Sequence, residues 1–210
     1  ADDDVVFPLD YFRKSFQILG ARPRVDVFGG PDALPDPPVN NTQAVFSLAI
    51  ESWDVTGPTL YRHHSDVGQE VRKGSETNLI LCHLWFRLSL FQVEGYRFDP
   101  LFLRNEENVL LMEIEKNGGS ILYVPDLKVW HQRKGSLLAI MKTYWTAGKS
   151  RFLCLVKKKS LRNLVYFLPL FLFVMIAVFF QWTGIVVLFS LYLVVNLISS
   201  TLKVGQEKRS

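Results

Sequence analysis

Residues 104–131 read RNEENVLLMEIEKNGGSILYVPDLKVWH, and this stretch decides the fold. Apolar side chains alternate with Glu and Lys over residues 106–117, which predicts an amphipathic helix that Gly118-Gly119 brings to an end. Two short apolar runs follow, at 121–124 and 129–131, and each is expected to form a strand. A helix followed directly by short strands is typical of domains that alternate the two kinds of element.

The same alternation extends along the chain on both sides of this stretch. Apolar runs bounded by Gly or Pro alternate with segments of helical pattern, and that order predicts an α/β domain with a mostly parallel sheet. Residues 1–6 are expected to be the end of a strand that runs into an acidic loop. The other strand candidates are 25–28, 77–82, 121–124 and 129–131, and the helix candidates are 8–19, 43–53, 84–93, 106–117 and 136–148.

The C-terminal part has a different composition. Residues 164–202 contain no Asp, Glu, Lys or Arg, whereas charges of both signs occur throughout the part before them. The uncharged stretches 164–182 and 184–202 would each form a helix about 28 Å long, close to the ~30 Å thickness of the hydrocarbon layer. We therefore expect two transmembrane helices over 164–202.

Basic residues flank this apolar tail and contribute much of the net charge of +4. Lys157-Lys158-Lys159 and Arg162 precede it, and Lys203, Lys208 and Arg209 follow. By the positive-inside rule both ends face the cytoplasm, so we expect a membrane-anchored hairpin and a cytoplasmic soluble domain. A re-entrant or monotopic hairpin would leave the same pattern. Basic and aromatic residues are not interleaved, so we expect membrane lipid and no nucleic acid as a partner.

The chain therefore divides into four parts by composition. Residues 1–151 form the soluble domain, 152–163 a basic juxtamembrane connector, 164–202 the two membrane helices and 203–210 a cytoplasmic tail. The two cysteines, Cys82 and Cys154, have no partner at the spacing of zinc ligands, and we expect both to be buried reduced thiols.

Two groups of carboxylates could carry chemistry. Asp2 and Asp4 lie two positions apart at the end of an expected strand, and such a pair can bind Mg²⁺ or Mn²⁺ together with a diphosphate. A solvated acidic terminus would have the same sequence. Glu106 and Glu107 begin the predicted helix 106–117, where the helix dipole stabilises carboxylates and where one of them could act as a general base.

A histidine and two cations complete the candidate residues. His131 ends the last predicted strand, and it is either a structural side chain or a metal ligand as the neutral imidazole. Lys149 and Arg151 lie in or after the following helix. They could hold a leaving diphosphate by charge, or they could face water or lipid headgroups.

Taken in order, these motifs resemble those of family 2 glycosyltransferases. Residues 2–11 (DDDVVFPLDY) resemble the family's aspartate motif and the proline-led helix after it. Residues 94–108 (EGYRFDPLFLRNEEN) resemble its Gly-Gly-Phe-Asp-Glu segment and acidic pair, and residues 117–131 resemble its strand, proline and histidine stretch. Four shorter segments resemble a branch of the family that makes polysaccharides or glycolipids at membranes. They are Gly29-Gly30-Pro31, Tyr61-Arg62, Ser136-Leu137 and 142–148.

The resemblance covers roughly residues 1–151 and implies part of a GT-A fold with inverting chemistry. The implied donor is a nucleotide-diphosphate sugar, the implied acceptor is a hydroxyl of a glycan or lipid-linked molecule, and the implied cofactor is Mg²⁺ or Mn²⁺. The implied roles are metal binding for Asp2, Asp4 and His131, general-base catalysis for Glu107 with Glu106 beside it, and contact with the donor diphosphate for Lys149 and Arg151.

The chain departs from the family in several respects, one of which is that the family's aromatic-ended Gln/Arg-rich motif in the late helix is matched only in part. Glu107 stands where the family usually has Asp, and Glu94 stands where it often has Gly. In the family, the first strands hold the nucleotide base and precede the aspartate motif. The resemblance therefore implies an upstream donor-binding segment, in the same or another chain, that completes the donor pocket.

Two other functions fit the same sequence. The first is a truncated, non-catalytic relative that keeps the fold for a scaffolding role in the membrane. The second is a membrane-surface binding module that uses the basic run at 157–162, whose affinity should fall steeply with salt.

Overall fold

The computed structural model describes residues 4–35, 37–64, 70–159, 164, 166–179 and 182–207. It divides into two units, Ala1–Ser150 and Arg151–Ser210. All strands that the structure describes lie in the first unit.

Short strands alternate with helices along the first unit. Its strands are β1 (Val5–Val6), β2 (Val27–Gly29), β3 (Asp32–Ala33), β4 (Arg72–Lys73), β5 (Trp85–Phe86), β6 (Ile121–Tyr123) and β7 (Val129–His131). Its helices are α1 (Tyr11–Ala21), α2 (Asn41–Ile50), α3 (Trp53–Thr56), α4 (Leu88–Gln92) and α5 (Glu106–Lys116), with 3₁₀ turns at Gly57–Arg62 and Leu81–His83. Helix α6 (Leu137–Lys157) begins in this unit.

The strands form two small mixed sheets. The larger has the order β4-β6-β2-β5, and the smaller has the order β1-β7-β3. The pairs β2–β6 and β3–β7 are parallel, whereas the edge strands β1, β4 and β5 pair antiparallel with their neighbours. The predicted α/β class is confirmed, but the prediction of a mostly parallel sheet was wrong, because three of the five strand pairs that the structure describes are antiparallel.

Strand β2, in the middle of the larger sheet, is buried on both faces. Val27 of β2 packs against the α5 side chains Leu110 and Ile114, while its neighbour Phe28 packs on the other side with Tyr11 of α1. This alternation follows from the two-residue period of a strand. Full burial of each such side chain stabilises the fold by about 1.5–3 kcal/mol, so the apolar stripe of α5 holds its acidic first turn in place.

The strand predicted over residues 77–82 was wrong. Leu79 is buried, as the apolar pattern requires, but the segment forms turns and the 3₁₀ turn at Leu81–His83. The guanidinium of Arg62 donates hydrogen bonds to the backbone carbonyls of Glu76 and Thr77. A side chain thus satisfies backbone groups that a neighbouring strand would otherwise pair with.

Gly30 lets the chain pass from β2 to β3 close against residues 124–127. A Cβ atom on Gly30 would lie 2.4 Å from the carbonyl oxygen of Val124 and 2.6 Å from that of Leu127. Both oxygens belong to the backbone, which cannot turn aside as a flexible side chain can. The close approach brings Asp32 into parallel register with Val129 of β7.

The second unit contains the rest of α6, then α7 (Leu168–Phe179) and α8 (Trp182–Glu207). The helix predicted at 136–148 is confirmed and continues to Lys157. Cys154 in this unit and Cys82 in the first are both buried and form no disulfide, as expected.

The transmembrane hairpin predicted over 164–202 is not supported. Helix α7 has 12 residues and is about 18 Å long, well short of the ~30 Å hydrocarbon layer. Within the residue ranges given above, no helix combines the length and the apolar character needed to cross a membrane.

Replacement of Gly30 by Ala should destabilise the first unit. The added methyl group would collide with two backbone oxygens, and we expect the free energy of unfolding to fall by about 3 kcal/mol. Urea unfolding followed by tryptophan fluorescence measures this loss. Gly20→Ala is the matched control, because no atom lies within 4 Å of its added Cβ and Ala stabilises a helix by about 0.5–1 kcal/mol. Equal unfolding curves for the two variants would contradict this account of Gly30.

Candidate functional site

The smaller sheet brings together two of the residues predicted from sequence. Strand β1 pairs with β7 so that Val5 lies opposite His131, and the backbone amide of Gln132 donates to the carbonyl oxygen of Asp4. As a result Asp4 Oδ1 lies 3.2 Å from His131 Nε2. Asp2, the third predicted metal ligand, lies outside the described residues.

A buried carboxylate, Asp32, lies behind this pair. It is 1% exposed and belongs to β3, which runs parallel to β7. His131 Nδ1 donates to Asp32 Oδ2 at 2.8 Å. The second oxygen, Oδ1, accepts from His63 Nδ1 at 2.5 Å and from Arg133 Nη2 at 3.2 Å. Both oxygens of Asp32 therefore have strong donors.

The charges in this cluster depend on one another. Burial opposes ionisation of Asp32, but His63 and Arg133 together favour it more strongly, and the pKa of Asp32 lies well below its ordinary value. The hydrogen bond to Asp32 raises the pKa of His131, whereas burial lowers the pKa of His63. The cluster therefore holds an ionised carboxylate at neutral pH, and His131 is the more basic of its two histidines.

The hydrogen bond from Nδ1 to Asp32 also fixes the orientation of the His131 ring. When His131 is neutral and donates from Nδ1, the lone pair of Nε2 faces Asp4. A histidine that binds a metal typically donates its other ring N–H to a carboxylate, which fixes the tautomer and raises the basicity of the ligand atom. Asp32 stands in that relation to His131.

The Asp4–His131 pair fits a small divalent cation. Adjacent ligands of an octahedral ion, each about 2.1 Å from it, lie roughly 3 Å apart. The 3.2 Å between Asp4 Oδ1 and His131 Nε2 is close to that spacing. The pair supplies one carboxylate oxygen and one imidazole nitrogen, a donor set that Mn²⁺ accepts and that Mg²⁺, which prefers oxygen, accepts less readily.

A second group of ligand atoms is less suitable for a cation. Atoms of Asp32, Cys82 and His131 lie within 4.8 Å of one another. Both Asp32 oxygens already accept hydrogen bonds, and the Arg133 guanidinium lies 3.2 Å from one of them. A cation there would replace a hydrogen bond and face a positive charge, so the Asp4 side of His131 is the better position.

The predicted acidic pair lies in the first turn of α5, which begins at Glu106. Glu107 is 6% exposed. Oε2 of Glu106 is buried and has no hydrogen-bond partner within the described part of the chain. A buried carboxylate oxygen that lacks a donor is unusual in a folded protein and is suited to accept a proton or hydrogen bond from a ligand. No ion pair or hydrogen bond joins Glu106 to Asp4 or His131 among the described residues.

The two predicted diphosphate-binding cations each stack on an aromatic ring. The ammonium of Lys149 lies 5.3 Å from the ring centre of Trp145 in α6, and Lys149 is exposed. Arg151 belongs to the second unit, where its guanidinium lies 4.1 Å from the ring centre of Tyr166. Among the described residues, Lys149 makes no ion pair.

Sequence reasoning missed Asp32, His63 and Arg133. Asp32 follows Gly29-Gly30-Pro31 in a polar, proline-rich stretch, which has the composition of a solvated loop. The one usable signal was the glycine pair itself, because a position without Cβ marks a close approach of the backbone. His63 lies in a charged segment that shows no periodicity.

A buried histidine, His83, adjoins this cluster. The Tyr11 hydroxyl lies 3.2 Å from both His83 Nδ1 and the His83 carbonyl oxygen, and Trp85 Nε1 donates to the same hydroxyl at 3.1 Å. Burial lowers the pKa of His83 to about 4 and raises the pKa of Tyr11 to about 12. Both side chains are therefore neutral at physiological pH.

Comparison of the chain with protein-family models, with curated proteins and with solved structures found no match in any of the three. The resemblance to family 2 glycosyltransferases therefore stays a prediction from the motifs.

Replacement of His83 by Gln should make the free energy of unfolding depend less on pH below neutrality. In the unfolded chain His83 takes up a proton near pH 6.5, but the folded protein takes it up only near pH 4. The unfolded state thus binds more protons between these values, and the free energy of unfolding falls as the pH is lowered, by up to about 3 kcal/mol. In His83→Gln this contribution is absent, while the amide can still bond to Tyr11.

Urea unfolding at pH 7, 6, 5 and 4 checks this prediction. The stability of the wild type should fall more steeply between pH 6.5 and 4 than that of His83→Gln, although His63 and Asp32 leave some pH dependence in both. Parallel curves over this window would show that His83 is not held neutral by the fold.

Proposed function

We propose that this chain is the acceptor-side part of a metal-dependent inverting glycosyltransferase with a GT-A domain. The observation that carries the proposal is the 3.2 Å approach of Asp4 Oδ1 to His131 Nε2, with Asp32 bonded behind the imidazole. The two residues lie far apart in the sequence, in the two motifs that the resemblance assigns to metal binding. Their meeting supports that assignment.

The proposed reaction transfers a sugar from a nucleotide-diphosphate sugar to a hydroxyl of a glycan or lipid-linked acceptor. Asp4 and His131, with Asp2, would hold Mg²⁺ or Mn²⁺, which neutralises the charge that develops on the departing diphosphate. The acceptor oxygen forms a bond to the anomeric carbon as the bond from that carbon to the diphosphate breaks. One displacement from the opposite face inverts the configuration.

The acidic pair of α5 supplies the base in this scheme. Glu107 would accept the proton of the acceptor hydroxyl as its oxygen attacks. Glu106 beside it offers a buried oxygen without a donor among the described residues, suited to hold the acceptor hydroxyl through a hydrogen bond. Lys149 and Arg151 would contact the donor diphosphate, and an upstream segment of the same or another chain would hold the nucleotide.

Activity of the intact natural polypeptide that contains these residues tests the proposal. Release of nucleoside diphosphate is measured with a panel of nucleotide sugars and with an acceptor extract from membranes. We expect release with at least one donor, loss of release in EDTA and its recovery with Mn²⁺. Glu107→Gln should lower kcat by about 10²- to 10⁴-fold, because the amide cannot accept the proton.

Two further variants make the assay specific. Glu113→Gln removes an exposed carboxylate from the same helix and should leave kcat unchanged. Asp4→Asn should raise the Mn²⁺ concentration that gives half-maximal activity. A folded protein that releases no diphosphate from any donor would instead support the non-catalytic scaffold.

We also infer that the chain associates with membrane lipid through its second unit, at the anionic cytoplasmic leaflet. Phe171 and Phe173 of α7 are 58% and 60% exposed, and Phe189 of α8 is 60% exposed. The exposed run Lys157-Lys158-Lys159 precedes these helices and is attracted by anionic headgroups. Large apolar side chains exposed in such number mark a site of contact with another molecule or with lipid.

Sedimentation with vesicles of neutral and anionic lipid tests this inference. The double variant Phe171→Ser/Phe173→Ser should weaken binding at least tenfold, because burial of each Phe contributes about 1.5–3 kcal/mol. Phe16→Ser, at an exposed position of α1, is the control and should bind as the wild type does. Binding that survives 0.5 M salt favours the apolar helices as anchor, whereas binding lost with salt favours the basic run alone.

A further inference from the structure

We propose that Arg62, Asn108 and Asn105 form a hydrogen-bonded relay that positions the Glu106-Glu107 pair relative to α6; this inference rests on the proposed function. Arg62 Nη2 donates to Asn108 Oδ1 at 2.5 Å, and Asn108 Nδ2 donates to Asn105 Oδ1 at 3.0 Å. Asn105 Nδ2 then donates to the backbone carbonyl of Ala147 in α6 at 3.1 Å. Three side chains thus connect the 3₁₀ turn at residues 57–62 with the start of α5 and with α6.

The relay has a fixed direction. A guanidinium has donors and no acceptor, so Asn108 must turn its oxygen toward Arg62 and its amino group toward Asn105. Asn105 must in turn offer its oxygen to Asn108 and its amino group to Ala147. Neither amide can flip without the loss of two hydrogen bonds, and the relay therefore holds a single arrangement.

The first member of the relay is itself firmly held. Arg62 is 9% exposed, and its guanidinium also donates to the backbone carbonyls of Glu76 and Thr77. Asn108 is fully buried. Because both side chains are enclosed and multiply bonded, the start of α5 is tied to an anchor that has little freedom to move.

The conformation of Asn105 indicates that these hydrogen bonds position the N-terminus of α5. Asn105 precedes α5 with φ of 61° and ψ of 20°, the left-handed region, and its side chain makes no capping hydrogen bond to the helix. An N-cap Asn usually has extended backbone and caps the first turn, which stabilises a helix by about 1 kcal/mol. Here the side chain bonds to Asn108 and to α6 instead. Left-handed backbone at a residue other than Gly is uncommon, and such conformations cluster at functional sites.

The residues that the relay encloses are the candidate base and its neighbour. Glu106 and Glu107 lie between Asn105 and Asn108 in the chain, and Ala147 lies two residues before Lys149. Because the relay fixes α5 against α6, it also fixes the Glu106 and Glu107 carboxylates relative to α6, the helix that carries the proposed diphosphate contact Lys149. We therefore assign Arg62, Asn108 and Asn105 as positioning residues for proton transfer.

The test compares two variants that remove one amide from opposite ends of α5. Asn105→Gly keeps the left-handed backbone, which Gly adopts freely, but removes the contact with Asn108 and Ala147. Asn117→Ala removes the exposed hydrogen bond from Asn117 Nδ2 to the Tyr96 hydroxyl at the C-terminal end. In the intact natural polypeptide, Asn105→Gly should lower kcat about 10- to 100-fold with less than about threefold change in the donor KM, as expected for a misplaced reacting group. Asn117→Ala should leave kcat unchanged.

A second variant and a double-mutant cycle test the direction of the relay and its target. Asn108→Asp still accepts from Arg62 but cannot donate to Asn105, so it should reproduce the loss of kcat. In a Glu107→Gln background, Asn105→Gly should lower the residual rate less than about twofold, because the residue through which it acts is already disabled.

Each outcome bears on the relay. If Asn105→Gly behaves as Asn117→Ala does, or if its effect persists undiminished in the Glu107→Gln background, the relay does not position the base. Absence of transferase activity in the wild type is a separate result, which rejects the proposed function and the relay's catalytic role with it.

Discussion

The ionised carboxylate of Asp32 is the group on which the candidate site depends. It is 1% exposed, and a buried charge of this kind is destabilising by several kcal/mol unless donors or cations surround it. Its partners come from separate segments: His63 follows the 3₁₀ turn at 57–62, His131 ends β7, and Arg133 follows two residues later. One carboxylate therefore joins β7, its neighbour in the sheet, to the segments that carry His63 and Arg133, and the loss of a single partner would leave part of its charge uncompensated. The orientation of the His131 ring toward Asp4 follows from this arrangement.

Polar side chains replace backbone pairing elsewhere in the first unit as well. Arg62 satisfies the carbonyls of residues 76 and 77, and the strands themselves are only two or three residues long. Short strands supply few ladder hydrogen bonds, so a larger part of the structure depends on specific side chains. This makes the unit sensitive to conservative substitutions at buried polar positions, since an unpaired buried group destabilises by about 1–3 kcal/mol.

The sequence predicted those helices and strands whose pattern of apolar and polar residues is enough to define them. Helix α5 was predicted within one residue, because its apolar and charged positions alternate with the helical period and Gly118-Gly119 ends it. Strands β6 and β7 were located because each is a short apolar run. The sheet order and the antiparallel edges could not be predicted, because two-residue strands leave no periodic signal and their pairing is set by contacts far away in the chain.

In the candidate site, too, some residues could be predicted from the sequence and others could not. Asp4 and His131 were identified from the order of motifs, and the fold brings them together. Asp32 was missed because the glycine pair before it marks a close approach of the backbone but does not tell a buried, charge-compensated Asp from a solvated one; its partners lie 31 and 99 positions further along. The apolar tail led to the opposite error, since composition alone predicted membrane-spanning helices that the described elements do not form.

The register of β1 against β7 has a consequence for how the protein is made. Val5 pairs with His131, so the strand that carries Asp4 gains that partner only after nearly the whole first unit has been synthesised. Closing a loop of this length is entropically unfavourable, and folds rich in such contacts form slowly. On the ribosome, the β2–β6 pair and the packing of α5 can form before residue 131 emerges. The edge formed by β1 and β7, which carries Asp4 and His131, then assembles after the central core of the unit.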